Sequence, residues 1–232
     1  MTRESHKIPV YIGYDPVESG AFWTCAASIL EHSSEPVQIT PLKRSQLPLK
    51  RPKHPKQSNE FSFTRWLVPH LQNFSGYGIF VDCDFLFMTD IAELWFLRDS
   101  TKAVQVCKHN TDTFKEGKKY LGTEQTVYEK KCWSSLMLFN CEHQSASRLT
   151  PGYIDRASGL DLHQFKWCKD EEIGSLPIEW NHLVGHYPYR DDAKAVHFTE
   201  GGPYFKDYSD VDYTQVWWKA FRKMKYVKEG LT

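Results

Sequence analysis

The feature that most constrains this fold is an apolar run over residues 78–88, which carries two acids two positions apart. In a β-strand, residues i and i+2 project from the same face, so Asp82 and Asp84 are expected to point together where the strand leaves the core. Neighbouring carboxylates repel each other and lose hydration on burial, so they need a cation or shared protons. A divalent metal ion is the simplest partner, because hard cations bind carboxylate oxygens. The alternative is a strand that ends in a solvated acidic turn.

The composition indicates an ordinary globular protein. The chain has 232 residues, enough for one large domain with a sizeable core. Lysine plus arginine and aspartate plus glutamate number 29 each, so the formal net charge is zero and a dedicated nucleic-acid-binding protein is not expected. The six cysteines form no Cys-x-x-Cys pair, which argues against a zinc site and favours a reducing compartment. With neither a signal peptide nor a transmembrane segment predicted, we expect a cytoplasmic protein.

Apolar patterns predict that strands and helices alternate along most of the chain. The predicted strands cover residues 8–14, 37–42, 77–82, 103–108, 133–140 and 195–198. The predicted helices cover residues 18–31, 61–74 with a break or kink at Pro69, 90–96 and 213–226. The segments 43–60 and 110–131 are predicted as loops, and residues 149–188 as irregular. This alternation favours an α/β fold with a mostly parallel sheet.

Acidic residues follow two of the predicted strands. Asp15 comes after the first strand, and the third strand ends at Asp82, with Asp84 just beyond it. Because ligands of α/β sheets bind at the carboxyl ends of strands, these side chains are expected along one edge of the sheet. Asp15 also precedes Pro16, and the alternative is that it only starts a turn.

A second candidate segment lies near the end of the sequence, where His197 follows apolar residues and precedes Gly201 and Gly202. A neutral imidazole suits transition metals such as manganese better than magnesium. Two glycines let backbone N–H groups approach a phosphate closely. Taken alone, the histidine would be a hydrogen-bonded core residue and the glycines a turn. Their combination with the acidic pair favours a site for a metal and a phosphate.

The order of these segments resembles glycosyltransferase family 8, the glycogenin-like and galactosyltransferase enzymes of the A-type fold. The segments that carry the resemblance are Asp15 after the first strand, Phe61-Ser62-Phe63-Thr64-Arg65, Phe80-Val81-Asp82-Cys83-Asp84, Trp133-Ser134-Ser135-Leu136-Met137-Leu138-Phe139-Asn140 and His197-Phe198-Thr199-Glu200-Gly201-Gly202-Pro203. The resemblance implies a single Rossmann-like nucleotide-diphospho-sugar transferase domain. We expect a nucleotide-binding half over residues 1–110, and an acceptor-side half with the C-terminal helix over residues 111–232.

The resemblance also implies a ligand for each part of the site. It implies a manganese ion, or magnesium in its place, held by Asp82, Asp84 and His197. It implies a nucleotide-sugar donor of the UDP-sugar type, with the uracil near Asp15 and the donor phosphates or sugar near Arg65. The donor-binding positions implied are Gly13, Tyr14, Asp15, Arg65, Asp82, Cys83, Asp84, Gly201 and Gly202. The acceptor is expected to be a carbohydrate or a glycolipid.

The family retains the anomeric configuration of the sugar, and the resemblance implies the same here. The attacking hydroxyl would approach from the side of the leaving group, and the diphosphate itself could take its proton. Asp170 and Glu171 are the candidate catalytic residues beside the donor sugar, with a solvated acidic turn as the alternative. The segment Glu179-Trp180-Asn181 could line the acceptor side, where Trp180 would either stack on a sugar or pack in the core.

This sequence departs from the pattern of the family at two places. The lysine that usually follows the histidine segment is absent, and Lys206 or Lys194 could supply its charge instead. Trp133-Ser134-Ser135 stands where Asn-Ala-Gly is usual, which leaves the identity of the donor sugar open.

Two other functions compete with this interpretation. A phosphatase of the haloacid dehalogenase type also uses Asp-x-Asp after a strand, with the first Asp as nucleophile, but Leu86 stands where that type normally has Thr or Val. A non-catalytic module that binds sugar nucleotides or glycans would keep the same fold. The presence of Asp82, Asp84 and His197 argues against such a module.

Overall fold

The computed structural model of the chain describes residues 7–53, 57, 59–110, 114, 117–118, 122, 124–125 and 128–224. Its α-helices are α1 (Ser19–His32), α2 (Val68–Leu71), α3 (Ile91–Trp95), α4 (Pro151–Arg156), α5 (Gly159–His163) and α6 (Thr214–Lys223). Its strands are β1 (Ile8–Gly13), β2 (Val37–Leu42), β3 (Tyr77–Val81), β4 (Phe85–Phe87), β5 (Val104–Cys107), β6 (Gly117–Lys118), β7 (Glu124–Gln125), β8 (Leu136–Asn140), β9 (Ile173–Leu176), β10 (His182–Leu183) and β11 (Ala195–His197). Strands and helices alternate over the first half of the chain, as predicted.

Six strands form the central sheet in the order β2-β1-β3-β8-β5-β9. Strand β8 runs antiparallel to its neighbours β3 and β5, whereas the pairs β1–β2, β1–β3 and β5–β9 are parallel. Strands β5 and β8 are buried along their whole length, as continuous apolar strands inside an α/β protein are. The prediction of an α/β fold with a mostly parallel central sheet is therefore confirmed.

The connection from β3 to β4 positions the acidic pair. Strands β1 and β3 are parallel neighbours, with Ile12 opposite Val81, so their carboxyl ends lie at the same edge and the predicted common edge is confirmed. Asp82 follows the last residue of β3, and Asp84 precedes the first residue of β4. Strand β4 leaves the central sheet and joins a small sheet of order β10-β11-β4. The acids therefore stand in the turn between two sheets.

The helix predicted over residues 61–74, with a break or kink at Pro69, is shorter and less regular than predicted. The chain forms a 3-10 turn over Thr64–Leu67 and then only the short helix α2. Pro69 has no backbone N–H with which to bond the carbonyl group four residues earlier, so the first turn cannot continue as a regular α-helix. Asn73 and Phe74 then adopt positive φ angles of 52° and 54°, which end the helix.

Residues 149–188 were predicted as irregular, and this prediction is wrong. They contain α4 and α5, whose first turns are capped by the hydroxyls of Thr150 and Ser158, and the edge strand β9. Strand β9 pairs with β5, from which it is far removed in sequence. The four residues of β9 show no clear alternation of apolar and polar side chains, so the sequence held no local sign of a strand. Pairing with β5 makes them one.

Three other predicted boundaries differ from the structure. The strand predicted over residues 133–140 begins at Leu136, because Cys132 has a φ of 62° and Trp133–Ser135 form a 3-10 turn. Helix α6 begins after Tyr213, whose φ is also 62°, and the predicted end at residue 226 lies outside the described residues. Much of the loop predicted over residues 110–131 lies outside them too, although β6 and β7 pair within it. None of the helices in the described ranges has the length and hydrophobicity needed to cross a bilayer.

Candidate functional site

Asp82, Asp84 and His197 meet at the carboxyl edge of β3. One possible ligand atom from each lies within 4.8 Å of the others, and all three residues are buried. The Oδ1 atom of Asp84 lies 3.3 Å from Nε2 of His197. The antiparallel pairing of β11 with β4 produces this approach, because it sets His197 opposite Phe85, the residue after Asp84. The structure thus brings together the three residues that the sequence predicted as metal ligands.

A hydrogen-bonded asparagine orients the imidazole of His197. The amide nitrogen of Asn181 donates to Oγ of Ser135 at 2.8 Å, which leaves its Oδ1 atom to accept from Nδ1 of His197 at 3.1 Å. An Nδ1–H that donates to Asn181 leaves Nε2, the ring nitrogen beside Asp84, as the atom that can bind a metal. The imidazole also stacks on Phe85, with a centroid separation of 4.3 Å. Sequence reasoning had assigned Asn181 to the acceptor side, and no local pattern pointed to this role.

Arg65 places a positive charge beside the acids. Its Nη1 atom lies 3.0 Å from Oδ1 of Asp82 and donates to the carbonyl oxygen of Ser134 at 2.8 Å. The guanidinium group packs near the rings of Phe61 and Phe80, at 5.3 and 5.0 Å from their centroids. Both members of the ion pair are buried. Arg65 therefore compensates part of the carboxylate charge at the edge where the donor phosphates were predicted.

A buried glutamate and a tyrosine connect the first turn with the segment after His197. The hydroxyl of Tyr204 donates to Oε1 of Glu18 at 2.7 Å. Burial raises the pKa of Tyr204 well above its usual value, and the negative charges of Glu18 and Asp84 add to this effect, so the phenol stays protonated at neutral pH. No motif in the sequence predicted a role for either residue. Only the turn position of Glu18 after β1 and the place of Tyr204 beside the glycines could have indicated them.

The two glycines after His197 have a packing role. A Cβ atom on Gly202 would lie 2.2 Å from the ring of Tyr204, and one on Gly201 would lie 2.7 Å from the ring of Tyr208. Gly201 also has a φ of +146°, which favours glycine. Glycine at both positions lets the tyrosine rings fold back onto the backbone. Approach of a phosphate to this segment stays a prediction.

The predicted nucleotide positions surround the carboxyl end of β1. The ring of Phe61 packs directly on Gly13, and Tyr14 packs on another aromatic ring within the core. The carboxylate of Asp15 accepts from the backbone N–H groups of Val17 and Glu60, both at 3.0 Å. Asp15 therefore starts a turn and ties it to a distant loop, and its contact with uracil stays a prediction.

Some predicted side chains have other surroundings. Cys83 is fully buried, and burial raises the pKa of its thiol well above the usual value, so it is neutral at physiological pH. Trp180 is also fully buried and cannot stack on a sugar, so it packs in the core. Lys194 forms an ion pair of 2.6 Å with Glu93, and Lys206 is exposed.

The structure does not bring Asp170 and Glu171 to the group of Asp82, Asp84 and His197. They stand in the 3-10 turn Asp170–Glu172 that leads into β9. The first residue of β9 pairs with the first residue of β5, at the end of the sheet opposite the acidic pair. The side chain of Asp170 is 80% exposed and lies 2.6 Å from Nζ of Lys130, whose positive charge holds the pKa of Asp170 below its usual value. A catalytic role for the two acids stays a prediction.

Solved glycosyltransferases share this fold, although no protein-family model matches the sequence. The bifunctional glycosyltransferase WbbM superposes with a TM-score of 0.70 at 15% identity, covering 95% of this chain and 50% of WbbM. The galactosyltransferase LgtC, in complex with donor and acceptor sugar analogues, superposes with a TM-score of 0.64 at 10% identity, covering 96% of this chain and 98% of LgtC. GlyE of Streptococcus pneumoniae gives a TM-score of 0.64 at 12% identity, covering 93% of this chain and 60% of GlyE. The chain thus spans half of WbbM and about the full length of LgtC, and its fold is the A-type glycosyltransferase fold, similar to family 8.

A plant protein is much more similar in sequence. This chain is 42% identical to Protein CDI of Arabidopsis thaliana over 225 residues, which covers 93% of this chain and 86% of the plant protein. Such identity over nearly the whole of both chains indicates a common origin. The chain therefore belongs to the family of Protein CDI.

Proposed function

We propose that this protein is a metal-dependent glycosyltransferase. It would transfer a sugar from a nucleotide-sugar donor of the UDP-sugar type to a hydroxyl group of a carbohydrate or glycolipid acceptor. The observation that carries the proposal is the buried group of Asp82, Asp84 and His197 at the carboxyl edge of a sheet whose fold is shared with glycosyltransferases. Fold alone does not determine the reaction, so the proposal depends on the chemistry of this group.

The donor set suits manganese, with magnesium as the alternative. Two carboxylates and one neutral imidazole combine hard oxygen ligands with the nitrogen ligand that transition metals accept. Asn181 supports this assignment, because it leaves Nε2 of His197 free to bind a cation. Asp82, Asp84 and His197 would hold the ion. When bound, the ion would offset the negative charge that develops on the departing diphosphate.

The residues around the acidic pair would position the donor. Arg65 stands beside Asp82 and could bind a phosphate or sugar oxygen through the guanidinium N–H groups that its present partners leave unused. Gly13, Tyr14 and Asp15 would form the uridine side within a nucleotide-binding half over residues 1–110. Gly201 and Gly202 would border the diphosphate, on the segment that Tyr204 ties to Glu18.

We propose further that the sugar is transferred with retention of its configuration, by attack on the face from which the diphosphate leaves. A donor phosphate oxygen would accept the proton of the attacking hydroxyl, so no protein nucleophile is required. An oxocarbenium-like transition state needs negative or polar groups nearby. Asp170 and Glu171 remain our candidates, and the turn that carries them would have to move for them to reach the donor sugar. Glu18 is a buried carboxylate whose charge already acts on Tyr204 together with that of Asp84.

The geometry favours this function over a phosphatase of the haloacid dehalogenase type. Such a phosphatase would use Asp82 as its nucleophile. Asp82 is instead paired with Arg65, and a buried histidine joins the two acids. A carboxylate held in this way is better suited to binding a cation than to attacking a phosphorus atom.

The test is hydrolysis of UDP-sugars by the wild-type protein and by the variant Asp84→Asn, with manganese, with magnesium and after chelation. We expect metal-dependent release of UDP that falls by on the order of 100-fold in Asp84→Asn, since a charge-stabilising group is lost. Asp210→Asn, which removes an exposed carboxylate, is the matched control and should keep the wild-type rate.

Three outcomes would contradict the proposed function. Equal UDP release under all conditions and in both proteins would show that the metal site takes no part in the reaction. Hydrolysis of small phosphate esters without any UDP release would favour the phosphatase. Tight metal-dependent UDP binding, with no turnover in the presence of any acceptor, would favour a non-catalytic binding module.

A further inference from the structure

A cavity of about 300 Å3 opens between the end of β5 and the start of β9. Its lining includes the charged residues Lys108, Glu129, Lys130 and Asp170 and the aromatic ring of Trp133. Its volume is at the lower end of the range for small-molecule sites, which suits a single sugar unit better than a nucleotide. Neither the metal ligands nor the positions around the carboxyl end of β1 line it.

The position of the cavity in the sheet places it beyond the acidic pair. Strand β5 is two strands away from β3, and β9 is three strands away, on the side opposite β1 and β2. With about 4.8 Å between neighbouring strands, β5 and β9 lie about 10–14 Å to the side of β3. The cavity extends along them, from Lys108 after the end of β5 to Asp170 before the start of β9. Trp133 connects the two places, because the carbonyl oxygen of Ser135 in the same turn accepts from the backbone N–H of Asp82 at 2.9 Å. The Trp133 side of the cavity thus adjoins the turn that bonds to Asp82, whereas its Asp170 side lies towards the opposite end of the sheet.

The lining combines an aromatic ring with polar groups whose positions are fixed by hydrogen bonds. The indole N–H of Trp133 donates to the carbonyl oxygen of His109 at 3.0 Å, which fixes the direction of the ring. The Nζ atoms of Lys108 and Lys130 lie 5.6 and 6.0 Å from the ring centroid. A hydrogen bond of 2.8 Å to the carbonyl oxygen of Ile173 holds Lys108. An aromatic surface with a few converging donors and acceptors is a common design of ligand pockets.

The charged side chains that line the cavity do not favour an anionic ligand. Lys130 is 8% exposed, and its Nζ atom is already paired with Asp170 at 2.6 Å and bonded to the carbonyl oxygen of Gln164 at 3.2 Å. The ammonium groups of Lys108 and Lys130 line the same cavity as the carboxylates of Glu129 and Asp170. The formal charges cancel, so a phosphate or a uronate gains no net attraction. Alternating donors and acceptors instead match the hydroxyl groups of a neutral sugar.

We propose that this cavity is the subsite for one neutral monosaccharide unit of the acceptor. The sugar face packs on Trp133, and its hydroxyl groups bond with Lys108, Lys130 and Asp170. The inference rests on the proposed function, because only a glycosyltransferase needs a second sugar site beside the donor. It adds the acceptor class and the residues that would bind it.

The test is binding of neutral methyl glycosides to the full chain, measured by saturation-transfer NMR in the presence of UDP and diamagnetic Mg2+. The probes are the methyl glycosides of glucose, galactose, mannose, xylose and N-acetylglucosamine, with methyl glucuronide and glucose 6-phosphate as charged probes. We expect at least one neutral glycoside to bind, and the charged probes to bind no more tightly. The variants Trp133→Leu and Lys108→Met should weaken binding by about fivefold or more, in line with the loss of one buried contact or hydrogen bond.

The control variant is Trp23→Leu, which removes an indole that is 60% exposed on α1 and should leave binding unchanged. Lys108 is exposed, so Lys108→Met decides the question if Trp133→Leu does not fold. The inference is overturned if no neutral glycoside binds, if both folded variants bind as the wild type does, or if a charged probe binds more tightly. Metal-dependent UDP-sugar hydrolysis by the wild-type protein without acceptor is a separate readout. Its absence would refute the proposed function, whereas its presence with no glycoside bound would refute only this subsite.

Discussion

Replacing Asn181 by leucine tests how the fold prepares His197 for a metal. The two side chains have nearly the same shape, but leucine removes the acceptor for Nδ1 of His197 at 3.1 Å and the donor to Oγ of Ser135 at 2.8 Å. His197 is buried, so its N–H group would be left without a partner at a cost of about 1–3 kcal/mol. In a chain of this size, each kcal/mol lowers Tm by about 2–4 °C. Metal affinity should fall by about 10–100-fold, because the imidazole is no longer oriented.

The assay is isothermal titration calorimetry with manganese, together with thermal unfolding of the metal-free protein. Ser135→Ala is the graded control, because it removes the anchor of Asn181 but leaves the bond to His197. We expect its affinity to lie between those of the wild type and Asn181→Leu. If folded Asn181→Leu bound manganese as tightly as the wild type, His197 would not be a ligand that this asparagine orients, and the reasoning would fail.

Three further predictions concern stability. Arg65→Met leaves buried Asp82 without its guanidinium partner, so the free energy of unfolding of the metal-free protein should fall by about 3–5 kcal/mol. Manganese should then raise Tm more in the variant than in the wild type. Equal Tm shifts would show that Arg65 does not compensate the charge of Asp82. Gly202→Ala forces a Cβ atom against the ring of Tyr204 and should cost about 1–3 kcal/mol in urea unfolding; an unchanged midpoint would contradict the packing role of Gly202. Burial, with a smaller effect of Arg65, lowers the pKa of His163 from 6.5 to about 3, so the folded state holds this ring neutral while the unfolded state binds a proton below about pH 6.5. The stability that the neutral ring contributes is present above pH 6.5 and is lost as pH falls towards 3, by ~1.4 kcal/mol per pH unit. Urea unfolding of the wild type and of His163→Leu at pH 4.5–7 should therefore show that the variant loses less stability as pH falls. Parallel curves for the two proteins would contradict this prediction.

Local patterns predicted those parts of the fold that depend on neighbours in sequence. The helix α1 and the strands β1, β2, β3 and β5 lie close to their predicted positions, because apolar spacing and Asp15 at the first turn act over a few residues. The short strand β9 was missed, and the segment around Pro69, where a break or kink was predicted, is helical over a shorter range than predicted. The first depends on pairing with β5, and the second on competition between helical spacing and a missing backbone donor.

The residues of the site differ in the same way, because some have a local sequence signal and others are placed by distant contacts. Asp82 and Asp84 were found from their spacing after an apolar run, and His197 from its place before the glycines. The roles of Asn181, Glu18 and Tyr204 had no such signal, since each depends on one contact with a residue far away in the chain. The predicted catalytic acids Asp170 and Glu171 show the reverse case, in which an acidic cluster is plain in the sequence but β9 carries it to the other end of the sheet.

The sequence by itself determined the α/β class, the common edge of Asp15 and the acidic pair, and the residue types that could hold a cation. Burial of apolar runs and the direction of parallel strands are enough to specify these features. Only the tertiary structure decided how the distant side chains meet and which further residues, such as Asn181, support them. The pairing of β11 with β4 brings His197 to Asp84, and the order β8-β5-β9 builds a separate cavity beside Trp133. Pairing between strands that are distant in sequence depends on packing against neighbours in the sheet, which no local pattern specifies.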